Sequence, residues 1–395
     1  MSIIIGICST SMDFSYNIIS IIDILGVVQG LLFGIMLLLL HSKKNRPTLF
    51  LGLFILLFSL EPIPNILEDM GILLQYPVLE LPPIHFHFLA YPLFYIYIQK
   101  ISVFNSKKPS YWTLIPGFIE TVIGLVIFFL PVETKLELKV SSYALVYFVF
   151  GLCYSIFIGV LTIRWIMLHQ KEVENQFSET VHKNLNWSKL FVYGSIFFQV
   201  LLLVNFFEAN HTLYFLATIV NVILIYWVSF KGITQENIVS LYLIFPKQEK
   251  EYIIMNEVEV NVESPVLPLE LPMGKKEKPQ FMDSEEMLEV IVIIRESIKS
   301  TQSFLKHNLT IIDIAEETHI HPKRISYALN NQVGMNFNNF INKYRVDKAK
   351  ELLVDVKANH LSIEGIGIEV GFHTKATFYS AFKKYEGCTP AKYNS

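Results

Sequence analysis

Charge is scarce in this chain, at 17% of residues against about 25% in an average soluble protein. The shortage is uneven: residues 17–230 are repeated apolar runs, whereas 247–395 read as ordinary soluble sequence. Cysteine is scarce as well. Cys8, Cys153 and Cys388 stand far apart, which argues against a disulfide framework. The opening MSIIIGICSTSMDFSYN has neither a basic n-region nor a clear cleavage site, so it does not read as a removable signal peptide. Catalytic motifs are missing too. There is no P-loop, no nucleophile elbow and no phosphotransfer motif, and GIGIEVG at 365–371 follows no strand. An enzyme is therefore not expected, and no cofactor is implied.

The apolar part holds seven stretches that reach or approach the roughly 20 residues a helix needs to cross the hydrocarbon core: 17–40, 48–67, 83–99, 113–130, 143–165, 190–207 and 212–230. The third is the weakest, because Pro92 interrupts it and His85 and His87 sit near its start. Proline is nonetheless tolerated in spanning helices. Segments 41–47, 100–112 and 166–189 and the start of the tail hold ten lysines and arginines, against Lys135 and Lys139 alone in the alternate segments. That asymmetry predicts an N-terminus outside and a cytoplasmic C-terminus. Asp23, Glu120, Gln199 and Asn221 lie inside the stretches. Ionisable groups there are costly, so Asp23 and Glu120, with His85 and His87, are candidate sensing residues, weighed against plain interhelical hydrogen bonding. His85 and His87 have a metal-ligand spacing only on a strand; on a helix residues i and i+2 face apart, so no metal is expected.

Five prolines (Pro246, Pro265, Pro268, Pro272 and Pro279) and clustered charges across 246–282 predict an extended connector. The expected organisation is a membrane domain over 1–245, a linker over 246–282 and a soluble helical domain over 283–395. Ser284 with acids after it predicts a helix start. Thr310 then caps a short helix, a turn follows at 318–320, and Pro322 opens a second helix at its first position. Helix, tight turn and helix at this spacing is a helix-turn-helix motif. The run 337–355 carries Phe337, Phe340, Ile341, Tyr344, Ala349, Leu352 and Leu353 at helical spacing and can join two small modules. The pattern then recurs: Ser362 caps, Gly371-Phe372 turns, and 374–385 forms another second helix. Two such units on a stiff connector can set two reading helices in successive major-groove segments. The fold class is thus all-α, a polytopic bundle of about seven spans followed by a soluble domain with two helix-turn-helix motifs.

Residues 306–393 resemble the AraC-type DNA-binding domain. Its C-terminal signature is matched at Ile363, Ile366, Glu369, Gly371, Phe372, Thr374, Phe378, Phe382, Lys383, Gly387, Thr389, Pro390 and Tyr393. The first unit is matched at Leu309-Thr310, Ala315, Ile325, Gly334, Phe337, Ile341-Asn342 and Tyr344-Arg345. The whole also resembles membrane-tethered members of that family. Two departures stand out. Gly367 replaces the family's usual Ala, at about 1 kcal/mol of helix propensity, and His319 and His321 stand where Gly and a Ser cap are usual.

The resemblance implies that Lys323, Ser326 and Tyr327 of the first unit, and Lys375, Ala376, Thr377 and Ser380 of the second, face base edges. Arg324, Lys383 and Lys384 fit phosphate contacts, which set register rather than sequence. Phe378 and Phe382, four apart, are expected in the core. From 306 to 395 there are twelve basic and nine acidic residues, a modest excess that predicts a shallow salt dependence. The expectation is a membrane-anchored regulator in a bacterial inner membrane, with promoter DNA, the lipid bilayer and an unidentified small-molecule or membrane signal as partners. Dimerisation fits a signalling element, though one chain already carries two reading helices. The rival is a seven-span receptor or carrier whose tail binds protein.

Overall fold

Long runs of Leu, Ile, Phe and Val without charge cannot leave backbone amides exposed in an apolar setting, so they close their hydrogen bonds within helices. The computed structural model describes residues 17–39, 47–104, 108–208, 210–235, 282–354 and 361–393. Among them the protein is helical; the one β feature is a single antiparallel bridge between Phe177 and Thr310. Most of the connector expected at 246–282 lies outside the described residues, as does Cys8. The chain divides into two units, one built from residues before 168 and from 185–240, the other joining Leu168–Asn184 to the C-terminal residues.

The first unit comprises α1 (Ile18–Leu39), α2 (Pro47–Leu60), α3 (Ile63–Asp69), α4 (Ile72–Gln75), α5 (His87–Ile101), α6 (Ile115–Phe128), α7 (Val132–Val140), most of α8 (Ser142–Gln176), α9 (Asn186–Glu208) and α10 (His211–Thr234). Among the described residues six helical stretches are long and apolar enough to cross a membrane: Ile18–Leu39, Pro47–Asp69, Tyr111–Phe128, Ser142–Gln176, Asn186–Glu208 and His211–Thr234. The third sequence candidate, 83–99, differs. It forms α5, whose 15 residues rise only about 22 Å at about 1.5 Å each. Residues 90–99 are buried on every side, the mark of a core helix. Its core is aromatic: Phe94 lies 4.7 Å from Phe191 and 5.2 Å from Phe54, ring centre to ring centre.

Among the described residues after 235, the first helix is α11 (Ser284–Thr301). Its cap is Asp283, one residue before the expected start, in a reciprocal box with Glu286. There follow α12 (Ile311–Thr318), α13 (Pro322–Ala328), α14 (Phe337–Val354), α15 (Ile363–Glu369), α16 (Lys375–Glu386) and α17 (Pro390–Tyr393). Two cores result. One gathers Ile294, Ile314, Ile325, Leu329 and Ile341 under α11, and the other gathers Val346, Ala349, Phe372, Phe378 and Phe382. Helix α14 contributes to both.

Candidate nucleic-acid interface

Each motif is fixed by its caps. Thr310 and Asp313 bond reciprocally, with the Thr310 amide donating to Asp313 Oδ2 at 2.7 Å and the Asp313 amide to Thr310 Oγ1 at 3.2 Å. Helix α12 ends on His319 in the left-handed region (φ 57°), where glycine is the comfortable residue. His321, in place of the usual serine, does cap α13: its Nδ1 accepts from the Lys323 amide at 3.2 Å. In the second motif Ser362 Oγ accepts from the Gly365 amide at 3.0 Å and Thr374 Oγ1 from the Thr377 amide at 3.2 Å. Between them stands Gly371 at φ 97°, where a Cβ would meet the Phe304 and Leu305 carbonyls at 2.8 Å. Only glycine suits both the conformation and the approach.

Gly367 has a packing reason as well. A Cβ there would stand 2.7 Å from the Phe378 ring, so the propensity lost in α15 makes room for the aromatic centre of the second core. Phe378 and Phe382 are both fully buried, as expected from their spacing.

Of the residues expected to face bases, Lys323, Lys375, Ala376 and Ser380 are exposed, while Ser326 and Thr377 are half-buried. Tyr327 packs its ring partly against the first core, which leaves less of it available than its position on the helix suggests. Lys375 pairs with Glu364 on α15, which raises its pKa through that hydrogen bond; the pair must open for Lys375 to reach DNA. Arg324 and Lys383 are exposed. Lys384 donates to Asn339 Oδ1 on α14 at 2.7 Å.

Arg345 is a residue whose role spacing does not reveal. It is fully buried, donates through Nε to the Phe304 carbonyl at 2.8 Å and through Nη2 to the Lys306 carbonyl at 2.7 Å, and lies over the Phe372 ring at 5.6 Å. Burial pulls its pKa down to about 10, with Glu179 acting the other way, so it stays charged at neutral pH. A planar fork of donors can satisfy several carbonyls at once, and here it ties the segment between α11 and α12 to the second motif.

The four candidate sensing residues separate into two groups in the first unit. His87 Nδ1 lies 3.3 Å from Glu61 Oε1, the Phe88 amide donates to Glu120 Oε2 at 3.1 Å, and Tyr147 donates to the same carboxylate. His85 stacks edge-on to Tyr147 at 6.4 Å. Asp23 is elsewhere, hydrogen-bonded to Thr218 and near Asp69. Glu61, Tyr147 and Asp69 were not singled out by sequence; the signal available was their charge or hydroxyl at the end of an apolar run. Gln199 accepts from Ser155 Oγ at 2.5 Å, an interhelical bond. Among the described residues no cluster of three or more His, Cys, Asp or Glu could hold a metal ion.

Two folded reading units on one connecting helix define a class, the helix-turn-helix DNA-binding domains. Residues 314–395 match the family described as a helix-turn-helix domain, and the C-terminal residues form such a domain of the AraC type. Over 85 residues the chain is 28% identical to an uncharacterized HTH-type transcriptional regulator of Bacillus subtilis, YtdP. The match covers 22% of this chain and 11% of that protein, so the chain spans about a tenth of that relative's length. No solved structure matches. These similarities support a DNA-binding regulator.

Proposed function

We propose that the chain is a membrane-anchored, sequence-specific transcription regulator, with residues 1–245 as a sensing domain, 246–282 as a tether and 283–395 as the DNA-binding domain. The observation that carries it is the pair of capped motifs, each presenting a basic helix start (Lys323-Arg324 and Lys375) and joined by one buried arginine. The loop charges support an N-terminus outside a bacterial inner membrane and the motifs in the cytoplasm, a reading that takes the short, protein-enclosed α5 as a seventh passage beside the six span-length helices. A signal acting on the two polar groups of the bundle, around Glu120 and around Asp23, alters promoter binding. A second copy of the chain is an allowed partner, not a required one.

Both C-terminal cores are assembled from residues 282–382, so the fragment Met282–Ser395 is the natural probe. Purified with sheared genomic DNA, it is expected to retain discrete fragments. The Lys375→Ala, Thr377→Ala double variant is expected to lose them, since base contacts are worth about 1–3 kcal/mol each. Retention without sequence preference, or none, would favour a receptor or carrier whose tail binds protein.

A further inference from the structure

Helix α8 runs unbroken for 35 residues, about 52 Å at about 1.5 Å per residue, whereas a hydrocarbon core is about 30 Å thick. Its last turns and the strap after them, Leu168–Asn184, belong with the C-terminal unit. The attachment there is dense. Glu174 Oε2 accepts from Asn336 Nδ2 at 3.0 Å and Asn175 Oδ1 from Asn330 Nδ2 at 3.1 Å. The Ser178 amide donates to the Leu309 carbonyl at 3.0 Å, Asn338 Nδ2 donates to the Ser178 carbonyl at 2.7 Å, and Arg345 Nη2 donates to Ser178 Oγ at 3.1 Å. Phe177 and Ser178 are buried by these contacts.

The strap's placement matters more than its strength. Ser178, Glu179 and Thr180 face Ala376, Thr377 and Ser380 across a cleft of about 360 Å³. Those three residues of α16 are among the four positions of the second motif expected to face bases, Lys375 being the fourth. A helix with its side chains is about 10–12 Å across and a major groove about 12 Å wide, so reading helix and strap cannot both enter.

We propose that residues 177–180 obstruct the approach of a duplex to the second reading helix, whose Ala376 and Ser380 stay open to water, so that moving the end of α8 frees or blocks the DNA-binding face. The inference rests on the regulator reading above and names its switch. Because the strap follows directly on a helix that reads as membrane-spanning, a signal can reach the DNA-binding domain without passing along the 246–282 tether.

The test uses the full chain in nanodiscs of phosphatidylethanolamine and phosphatidylglycerol, titrated with duplexes that Met282–Ser395 retains from genomic DNA. Phe177→Ala with Ser178→Gly loosens the strap from its own side; Asn338→Ala loosens it from the other. Each is expected to tighten duplex binding by the full chain roughly tenfold, the scale of one or two lost hydrogen bonds. Asn338→Ala in Met282–Ser395, which has no strap, is expected to leave binding unchanged. Hydrogen exchange at the Ser178 amide of the wild-type chain should rise on adding duplex, a readout that needs no variant. Equal binding by wild type and both variants, with the Ser178 amide still protected in the bound state, would overturn the strap while leaving the regulator standing. Failure of Met282–Ser395 to retain any discrete duplex would overturn the regulator reading and the strap with it.

Discussion

Gly30 in α1 and Gly367 in α15 both stand where an added methyl would strike a neighbour, yet they solve different problems. Gly26, Gly30 and Gly34 are spaced four apart on one face of α1. Cβ atoms there would meet Val222 at 2.9 Å, Ser59 Cβ at 2.2 Å and Leu56 at 2.6 Å. On other faces of the same helix Ile18, Leu25, Leu32 and Leu39 are exposed, as the proposed membrane setting requires. Acyl chains are as apolar as leucine, so helices gain little from hiding leucine from them; they associate by close backbone approach through small residues. In the C-terminal unit water supplies the drive. Helix α11 buries Met287, Val290, Ile291, Ile294 and Ile298 on one stripe, and Gly367 is present to admit a phenylalanine ring. Helix α1 buries small residues to bring backbones together beside an aromatic core around Phe54, Phe94 and Phe191; the C-terminal unit uses Gly367 to admit a ring.

The sharpest challenge to that contrast is Arg345, a charge at the centre of the water-driven unit. Arg345→Ala removes the donors to the Phe304 and Lys306 carbonyls and opens a cavity over Phe372. It is expected to cost about 4 kcal/mol in urea unfolding of Met282–Ser395. Arg345→Lys should not restore it, because an ammonium cannot fork between two carbonyls. A loss below about 1 kcal/mol would mean that the apolar cores suffice without the arginine.

A matched pair of substitutions comes next. Gly30→Ala presses a methyl against Ser59 Cβ, an atom almost as fixed as backbone, and is expected to destabilise the full chain in detergent by about 3 kcal/mol. Gly367→Ala meets the Phe378 ring but regains about 1 kcal/mol of helix propensity, leaving a net loss of about 1 kcal/mol in the fragment. A stabilising Gly367→Ala would show that Phe378 can step aside, and that this glycine is a cost with no packing return.

Much of this was legible beforehand because the signals are local. Thr310, Ser362, Pro322 and Gly371 occupy the cap and turn positions their chemistry predicts, and six of the seven apolar stretches became span-length helices. Stretch 83–99, the weakest of the seven, forms the 15-residue α5 wrapped by protein; hydropathy does not distinguish a helix wrapped by protein from one wrapped by lipid. The strap escaped for a different reason. Ser178 and Asn338 are 160 positions apart, and nothing in QFSETVHKN hints that it docks on a reading helix. Arg345 matched the family pattern, but its partners, the carbonyls of Phe304 and Lys306, carry no side-chain signature at all.

The smallest effect tests whether local strain in the first motif is real. His319 holds φ 57° and ψ 24° as the C-cap of α12, a conformation that strains a residue with a Cβ by about 1 kcal/mol or more. Glycine removes that strain but widens the unfolded ensemble by somewhat less. His319→Gly should therefore stabilise Met282–Ser395 by about 0.5 kcal/mol, a rise of roughly 3 °C in Tm for a domain of this size. The same substitution should leave duplex binding unchanged, because His319 precedes the reading helix and is not among the residues expected to face bases. If stability instead falls, the histidine is contributing a contact that outweighs its backbone strain, and the first motif is anchored by its turn as well as by the caps at Thr310 and His321.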